Sequence, residues 1–238
     1  MRDFKVYYGI PTYTQYERAK QAVEHIIKTS TLVPDEIVIV DNSEERLATN
    51  IFLPLHLMKK PKGMGVRLYY REKNILSGVW NDIMRLYNDD YIIIANDDVI
   101  PEPNAIEALV TTAREHPEYA MVTGAACCVN SYSFFLLRKW AYDIVGAFDE
   151  NFVPAYFEDN DYDYRLRILA GLIRAEAPNA IVKHIGSATM KAMTEEQRSR
   201  HHHNFAFNQR YFEAKWGGMP TKEKFTIPFQ QTVEVEDE

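Results

Sequence analysis

The chain has 238 residues, of which 46% are hydrophobic and 13% aromatic; a chain of this kind buries about 70% of its unfolded surface, which excludes disorder as its main state. Its two cysteines, Cys127 and Cys128, are adjacent in an apolar run, where a disulfide is sterically difficult and burial as small hydrophobes is expected, so a secretory scaffold or a cysteine-ligated zinc site is disfavoured. The net charge of −7 gives no global attraction to nucleic acid or to an anionic membrane; with no signal-peptide pattern and no apolar run near the roughly 20 residues that span a bilayer, a soluble cytoplasmic protein is expected.

Lys5-Val6-Tyr7-Tyr8-Gly9-Ile10 reads as a short strand that Pro11 ends. Ala19, Ala22, Val23, Ile26 and Ile27 recur at helical spacing and predict a helix over 15–28, and the apolar run 36–40 predicts a strand that closes on Asp41-Asn42-Ser43. Such fully apolar strands separated by a helix point to a parallel sheet covered on both faces. The pattern repeats with a strand over 66–70, a helix over 78–87 capped by Ser77, and a strand over 91–95 that closes on Asn96-Asp97-Asp98. A helix follows Pro103, carrying Ile106, Leu109, Val110 and Ala113 on one face, and then strands over 120–128 and 132–138 joined near Asn130-Ser131. Beyond residue 146 come the acidic run Glu158-Asp159-Asn160-Asp161-Tyr162-Asp163, a helix over 161–171, a strand over 180–184, and a polar and aromatic extension ending in an acidic tail. The expected fold is a three-layer α/β/α domain over residues 1–190 with a mixed central sheet, and residues 191–238 form a helical extension and tail packed on it.

If the sheet is parallel, the clusters at 41–43, 96–98 and 158–161 project from one edge, and ligands of such sheets bind beyond the carboxyl ends of the strands. Taken singly, each cluster is equally well explained as a solvated turn or a helix cap. Paired carboxylates at a strand end suit Mg²⁺ or Mn²⁺, which completes its shell with phosphate oxygens and water. Asp98 fits that role, with help from Asp97 or Asn96. The turn after the first strand, Gly9-Ile10-Pro11-Thr12-Tyr13, is no glycine-rich phosphate loop, which removes support from a P-loop kinase or a dinucleotide oxidoreductase.

A Pro-Thr-Tyr turn after the first strand, Val-Asp-Asn-Ser after the second, Asn74 with Gly78 and Asn81, Asn-Asp-Asp-Val-Ile-Pro, Gly-x-Phe-Asp-Glu, Glu-Asp-x-Asp-Tyr-x-x-Arg and a later Val-x-His follow one another over about residues 4–190. In that order they resemble a family 2 glycosyltransferase of the GT-A fold. The ending Asn208-x-x-Tyr211-x-x-x-Lys215-Trp216-Gly217 is similar to that of related transferases. The resemblance implies a nucleotide-diphosphate-sugar donor, a divalent metal at an Asp-x-Asp motif, and transfer with inversion. It places Pro11, Thr12 and Tyr13 in the nucleoside pocket, Asp41 on the base or ribose, and Arg71 and Asn74 near the nucleotide. Asn96, Asp97 and Asp98 take the Asp-x-Asp position, with Asn96 standing where an aspartate is frequent, so Asp98 is the first metal ligand and Asp97 the second. His184 matches a histidine that closes on the metal or diphosphate, Glu158 and Asp159 match a pair whose aspartate deprotonates the acceptor, and Asp149 is an acceptor contact.

A sugar hydroxyl is a poor nucleophile near neutral pH, which is why a positioned base is needed. Asp161 and Asp163 read instead as a helix cap and an ion-pair partner of Arg165 or Arg167. A sugar-1-phosphate nucleotidyltransferase is the rival reading, but it would want a glycine-rich basic loop after the first strand; a silent nucleotide-sugar or glycan-binding module is the non-enzymatic one. The acceptor is a glycan by default. A nucleic acid, with a modified base as its target, is a further option that two cationic stretches would serve: Lys59, Lys60, Lys62, Arg67, Arg71 and Lys73, and Lys191, Arg198, Arg200, Arg210 and Lys215. It is not favoured, because such stretches are common on solvated surfaces.

Overall fold

A computed structural model of the chain describes residues 3–43, 61–125, 131–184 and 195–230. The strands are β1 (Tyr7–Thr12), β2 (Glu36–Asp41), β3 (Gly65–Tyr70), β4 (Ile92–Ala95), β5 (Val99–Pro101), β6 (Tyr119–Ala125), β7 (Phe134–Leu137) and β8 (Ile173–His184). The helices are α1 (Tyr16–Thr29), α2 (Leu76–Leu86), α3 (Ala105–Glu115), α4 (Lys139–Val145), α5 (Glu158–Asp163), which continues as a π-helical turn (Tyr164–Leu169), and α6 (Glu195–Trp216). Among the described residues no helix is long and apolar enough to cross a membrane.

The strands form one mixed sheet in the order β3-β2-β1-β4-β7-β6-β8-β5. The first four run parallel, β7 is antiparallel to both its neighbours, β6 and β8 are parallel, and β5 is antiparallel to β8. Side chains alternate across this sheet. On one face Tyr8, Ile10, Ile37, Ile39 and Ile93 pack under α1 and α3; on the other Val38, Val40, Ile92 and Ile94 pack under α2 and α4. A third, aromatic cluster of Phe152, Phe157, Tyr164, Phe212 and Trp216 seats the second half of α6. Gly9 lets α2 close on β1, since a Cβ there would lie 2.6 Å from the Ile83 side chain.

Several expectations need correction. β1 runs through Pro11 to Thr12. The Tyr7 N–H donates to the Tyr91 carbonyl and the Thr12 carbonyl accepts from Asn42, so odd-numbered residues of β1 face β4. Pro11 lies past the last β4 partner, Gly9, where a missing N–H costs no ladder bond. Ser77 does not cap α2: it sits inside the helix and its hydroxyl donates to the Asp149 carbonyl at 3.0 Å. The helix expected over 161–171 starts at Glu158, where Glu158, Asp159 and Asp161 place negative charge in a first turn that favours it. The strand expected over 180–184 begins at Ile173, and the pairing with β6 jumps from Gly124↔Ala177 to Ala125↔Ile181, so Pro178 falls in the irregularity. Residues 131–133 form a 3-10 turn ahead of β7, and the three-residue β5 had no visible pattern. The readings for Cys127, Cys128 and Asn130, for Lys59, Lys60 and Lys191, and for the acidic tail lie outside the described residues.

Candidate active site

Because β1 to β4 are parallel, their carboxyl ends meet along one edge, and four sequence-predicted groups arrive there together. Thr12 Oγ1 donates to Asp97 Oδ2 at 2.8 Å, fastening the β1 turn to the end of β4. Tyr13 follows, half-exposed, and Thr14 takes a positive φ of 59° that turns the chain into α1. Asp41 is fully buried at the end of β2; its Oδ1 accepts from the Ser43 N–H at 2.9 Å and the Ser43 hydroxyl at 2.6 Å, while Oδ2 has no hydrogen-bond partner among the described residues. The Asn42 side-chain amide lies 2.9 Å from Asn74 Oδ1 and reaches the Ile75 N–H, which ties β2 to the start of α2.

The β4 end carries two adjacent carboxylates, Asp97 and Asp98. Burial, joined by the charge of neighbouring Asp98, pushes Asp97 up to about 7, against the Thr12 hydroxyl, Arg18 and the Tyr13 backbone N–H. Asn96 keeps a buried Oδ1 with no hydrogen-bond partner among the described residues, and its N–H donates to the Ser133 carbonyl at 3.0 Å. Two adjacent hard carboxylates at a strand end, one of them raised by burial, fit Mg²⁺ or Mn²⁺. Among the described residues no three His, Cys, Asp or Glu side chains converge on one point, so such an ion would draw the rest of its shell from phosphate and water. His184 ends β8 opposite Val99; its side chain lies outside the described part.

The second carboxylate set starts α5. Tyr156 and Phe157 hold positive φ values of 88° and 72°, a conformation that non-glycine residues adopt only when their surroundings impose it. Here α6 does so: Asn208 Nδ2 donates to the Val153 and Ala155 carbonyls at 3.2 and 2.8 Å, and the Tyr156 hydroxyl meets His201 Nδ1 at 2.9 Å. The same loop touches the donor edge through Leu76 N–H and the Pro154 carbonyl, 2.8 Å apart. Asp159 is half-buried, with Oδ1 accepting the Asn160 N–H at 2.8 Å. Glu158 is buried, and burial, then the Asp159 charge, pushes it well above the usual carboxylate range.

A family model described as Glycosyl transferase family 2 matches residues 8–216. The chain belongs to glycosyl transferase family 2. Its fold is GT-A: it superposes with a TM-score of 0.60 and 13% identity on a mannosyltransferase, PcManGT, from Pyrobaculum calidifontis, a structure described as in complex with GDP-Man and Mn²⁺. The match covers 87% of this chain and 64% of the other, so this family 2 chain spans under two thirds of that neighbour. Among curated proteins no sequence matches it.

Two of the positions that the family resemblance assigned to ligands are committed to the protein itself. Arg71 sits at the expected edge, after β3, but its guanidinium turns to α2, where it bonds Asp82 at 2.6 Å, the Gly78 carbonyl at 3.2 Å, and Glu150. A side chain at position 78 would run into it. Asp149 likewise accepts from Lys215 Nζ at 2.6 Å, the Tyr211 hydroxyl at 3.0 Å and the Asn151 N–H at 2.9 Å. Its oxygens are occupied, and it reads as a strut for α6 instead of an acceptor contact.

Lys215 is the residue that sequence reasoning undervalued, placing it in a surface track when it is buried. Its Nζ lies 2.6 Å from both Asp149 and Asp161. Asp161, fully buried, also accepts from Trp216 Nε1 at 2.8 Å and Arg165 Nε at 2.9 Å. Its expected role as a cap is therefore replaced by that of an ionic hub. Asp163 pairs with Arg167, as expected, and with Arg174. The Lys-Trp-Gly ending was the available signal, since a lysine beside a core tryptophan on the same helix needs a buried partner.

Glu158 yields a pH prediction. With its folded pKa above the unfolded one, its stabilising contribution is complete below the unfolded pKa and is lost as pH rises through the folded pKa. Glu158→Gln, which carries no charge, is expected to match wild type near pH 4 and to melt several degrees higher near pH 8. Thermal melts across that range check it, and a variant melting lower than wild type at pH 8 refutes the neutral-Glu158 assignment.

Proposed function

We propose that the chain transfers a sugar, with inversion, from a nucleoside-diphosphate donor to an acceptor hydroxyl. The observation that carries this reading is the pair of separate carboxylate sets. One, Asp97 and Asp98, stands at the donor edge, where burial and the charge of Asp98 raise Asp97; the other presents Asp159 from a loop bonded to the start of α2. The mannosyltransferase neighbour's GDP-Man and Mn²⁺ make that nucleotide sugar and that ion the first to try.

In this reading Thr12 and Tyr13 border the nucleoside, and the buried Oδ2 of Asp41 accepts a hydrogen bond from the base or ribose. Asn74 is positioned by Asn42 beside them. Asp98 and Asp97 would hold the divalent ion, which supplies countercharge to the departing diphosphate. Asp159 takes the acceptor proton as the acceptor oxygen bonds to C1 and the C1–O bond to the diphosphate breaks, releasing nucleoside diphosphate. Its oxygen Oδ1 is oriented by Asn160. Burial raises Glu158, which favours its neutral form, and Asp161 is paired with Lys215, so both neighbours place less negative charge beside Asp159.

A thermal-shift panel of nucleoside diphosphates and nucleotide sugars, with and without Mn²⁺, tests the donor half. A ligand at about 100 times its Kd stabilises by about 2.7 kcal/mol, and a rise that requires Mn²⁺ is expected with at least one nucleotide. No metal-dependent shift with any of them refutes the reading.

A further inference from the structure

At the end of β2 a series of side-chain hydrogen bonds closes on an unfilled acceptor. The backbone there is held by its neighbours: the Asp41 carbonyl accepts the Arg71 N–H at 2.9 Å, and Asn42 donates its N–H to the Thr12 carbonyl at 2.9 Å. These bonds fix where the Asp41 backbone stands but leave its side-chain torsions to be set by other contacts. Ser43 sets them, placing both its N–H and its hydroxyl on Oδ1.

The series extends one residue further and has a direction. The Tyr16 hydroxyl meets Ser43 Oγ. A serine hydroxyl has one proton, and that of Ser43 is given to Asp41 Oδ1 at 2.6 Å; Tyr16 is therefore the donor to Ser43. The order is Tyr16 to Ser43 to Asp41, and all three side chains are buried, so water does not compete for these bonds. What remains is Asp41 Oδ2, buried and without a hydrogen-bond partner among the described residues. A buried acceptor left open is costly, and a ligand that donates to it removes the cost.

Tyr16 opens α1 two residues after Thr14, where the positive φ ends the turn of Pro11, Thr12 and Tyr13. The series thus joins the two loops that border the nucleoside in the proposed reading. Its ring packs in the core with Ala19 and Val23, so the ring serves the fold and the hydroxyl serves the loop end.

We infer that Tyr16 and Ser43 are positioning residues for nucleoside recognition: acting through Asp41, they aim Oδ2 at an N–H or O–H donor of the nucleoside. The inference rests on the proposed contact of Asp41 with base or ribose. It places the effect of both residues on the nucleoside and not on the diphosphate and metal, which belong to Asp97 and Asp98.

Calorimetric titration of the full chain with GDP, UDP, dTDP, ADP and CDP, each with Mn²⁺, tests it. Tyr16→Phe keeps the ring and is expected to weaken the nucleotides that wild type binds about tenfold, roughly the worth of one hydrogen bond. Ser43→Ala is expected to do the same, and the double variant to lose no more than the larger single loss, because both changes break one series. Inorganic pyrophosphate with Mn²⁺, which carries no nucleoside, is expected to shift the melting temperature of wild type and Tyr16→Phe equally. Thr29→Val removes a hydroxyl bond to the His25 carbonyl at the other end of α1 and is expected to leave nucleotide affinity unchanged. Wild-type affinity in Tyr16→Phe, losses that add in the double variant, a pyrophosphate response lost with the hydroxyl, or an equal loss in Thr29→Val overturns the inference and leaves the transferase reading in place. Wild type that binds none of the nucleotides refutes the donor reading itself, and this inference with it.

Discussion

Lys215→Met is expected to destabilise the fold by about 3–5 kcal/mol, because it strands Asp149 and Asp161 as buried carboxylates without their shared cation. Methionine keeps an apolar stem of similar length and loses the ammonium, with its contacts to the Phe152 and Trp216 rings, so the cost is mainly electrostatic. For a chain of this length the change corresponds to a fall of about 10 °C in Tm. Lys28→Met, which breaks an exposed pair with Glu24, is the control and is expected to cost under about 1 kcal/mol. Denaturant melts measure both, and equal losses would show that Lys215 is no buried hub.

The same variant has a pH signature. Burial would raise Asp149, but Lys215, the Asn151 N–H and the Tyr211 hydroxyl outweigh it and hold its carboxyl below the ordinary range. A group depressed in the folded state contributes stability above its unfolded pKa and loses it as pH falls through the folded one. The wild-type and Lys215→Met stabilities are therefore expected to converge on the acid side, where Asp149 becomes protonated.

Asp159→Asn is expected to lower sugar transfer by about 10²–10⁴-fold, the usual worth of a positioned general base, and to leave the Mn²⁺-dependent nucleotide shift in place. Asparagine preserves the acceptor for the Asn160 N–H and removes only the capacity to take a proton. Release of nucleoside diphosphate under saturating donor reads the first effect, and the thermal shift reads the second. Turnover within about threefold of wild type would move the base elsewhere. Loss of the nucleotide shift as well would mean that Asp159 serves the donor.

The donor edge was largely legible before folding. Apolar strands ending in Asp41-Asn42-Ser43 and Asn96-Asp97-Asp98 dictated parallel pairing and a shared polar edge, and the fold sets β1, β2 and β4 side by side. What the pattern could not carry was side-chain commitment. Arg71 and Asp149 lie in family motifs, but whether a charged group meets a ligand or an opposite charge depends on α2 and α6, which are distant in sequence. The long β8 was hidden because Pro178 looks like a stop, and only its β6 partner shows that it lies in an irregularity.

By itself, then, the sequence determined the α/β layering, the family, and which acidic runs stand at strand and helix ends, since these follow from periodicity and local order. The tertiary structure alone decided which carboxylates are perturbed by burial and which are spent on the fold. Burial and Asp98 raise Asp97 against the pull of Thr12; Lys215, Arg165 and Trp216 hold Asp161; burial raises Glu158. Charge state is a property of neighbours in space, because desolvation and opposing charge act over a few ångströms and take no account of distance along the chain.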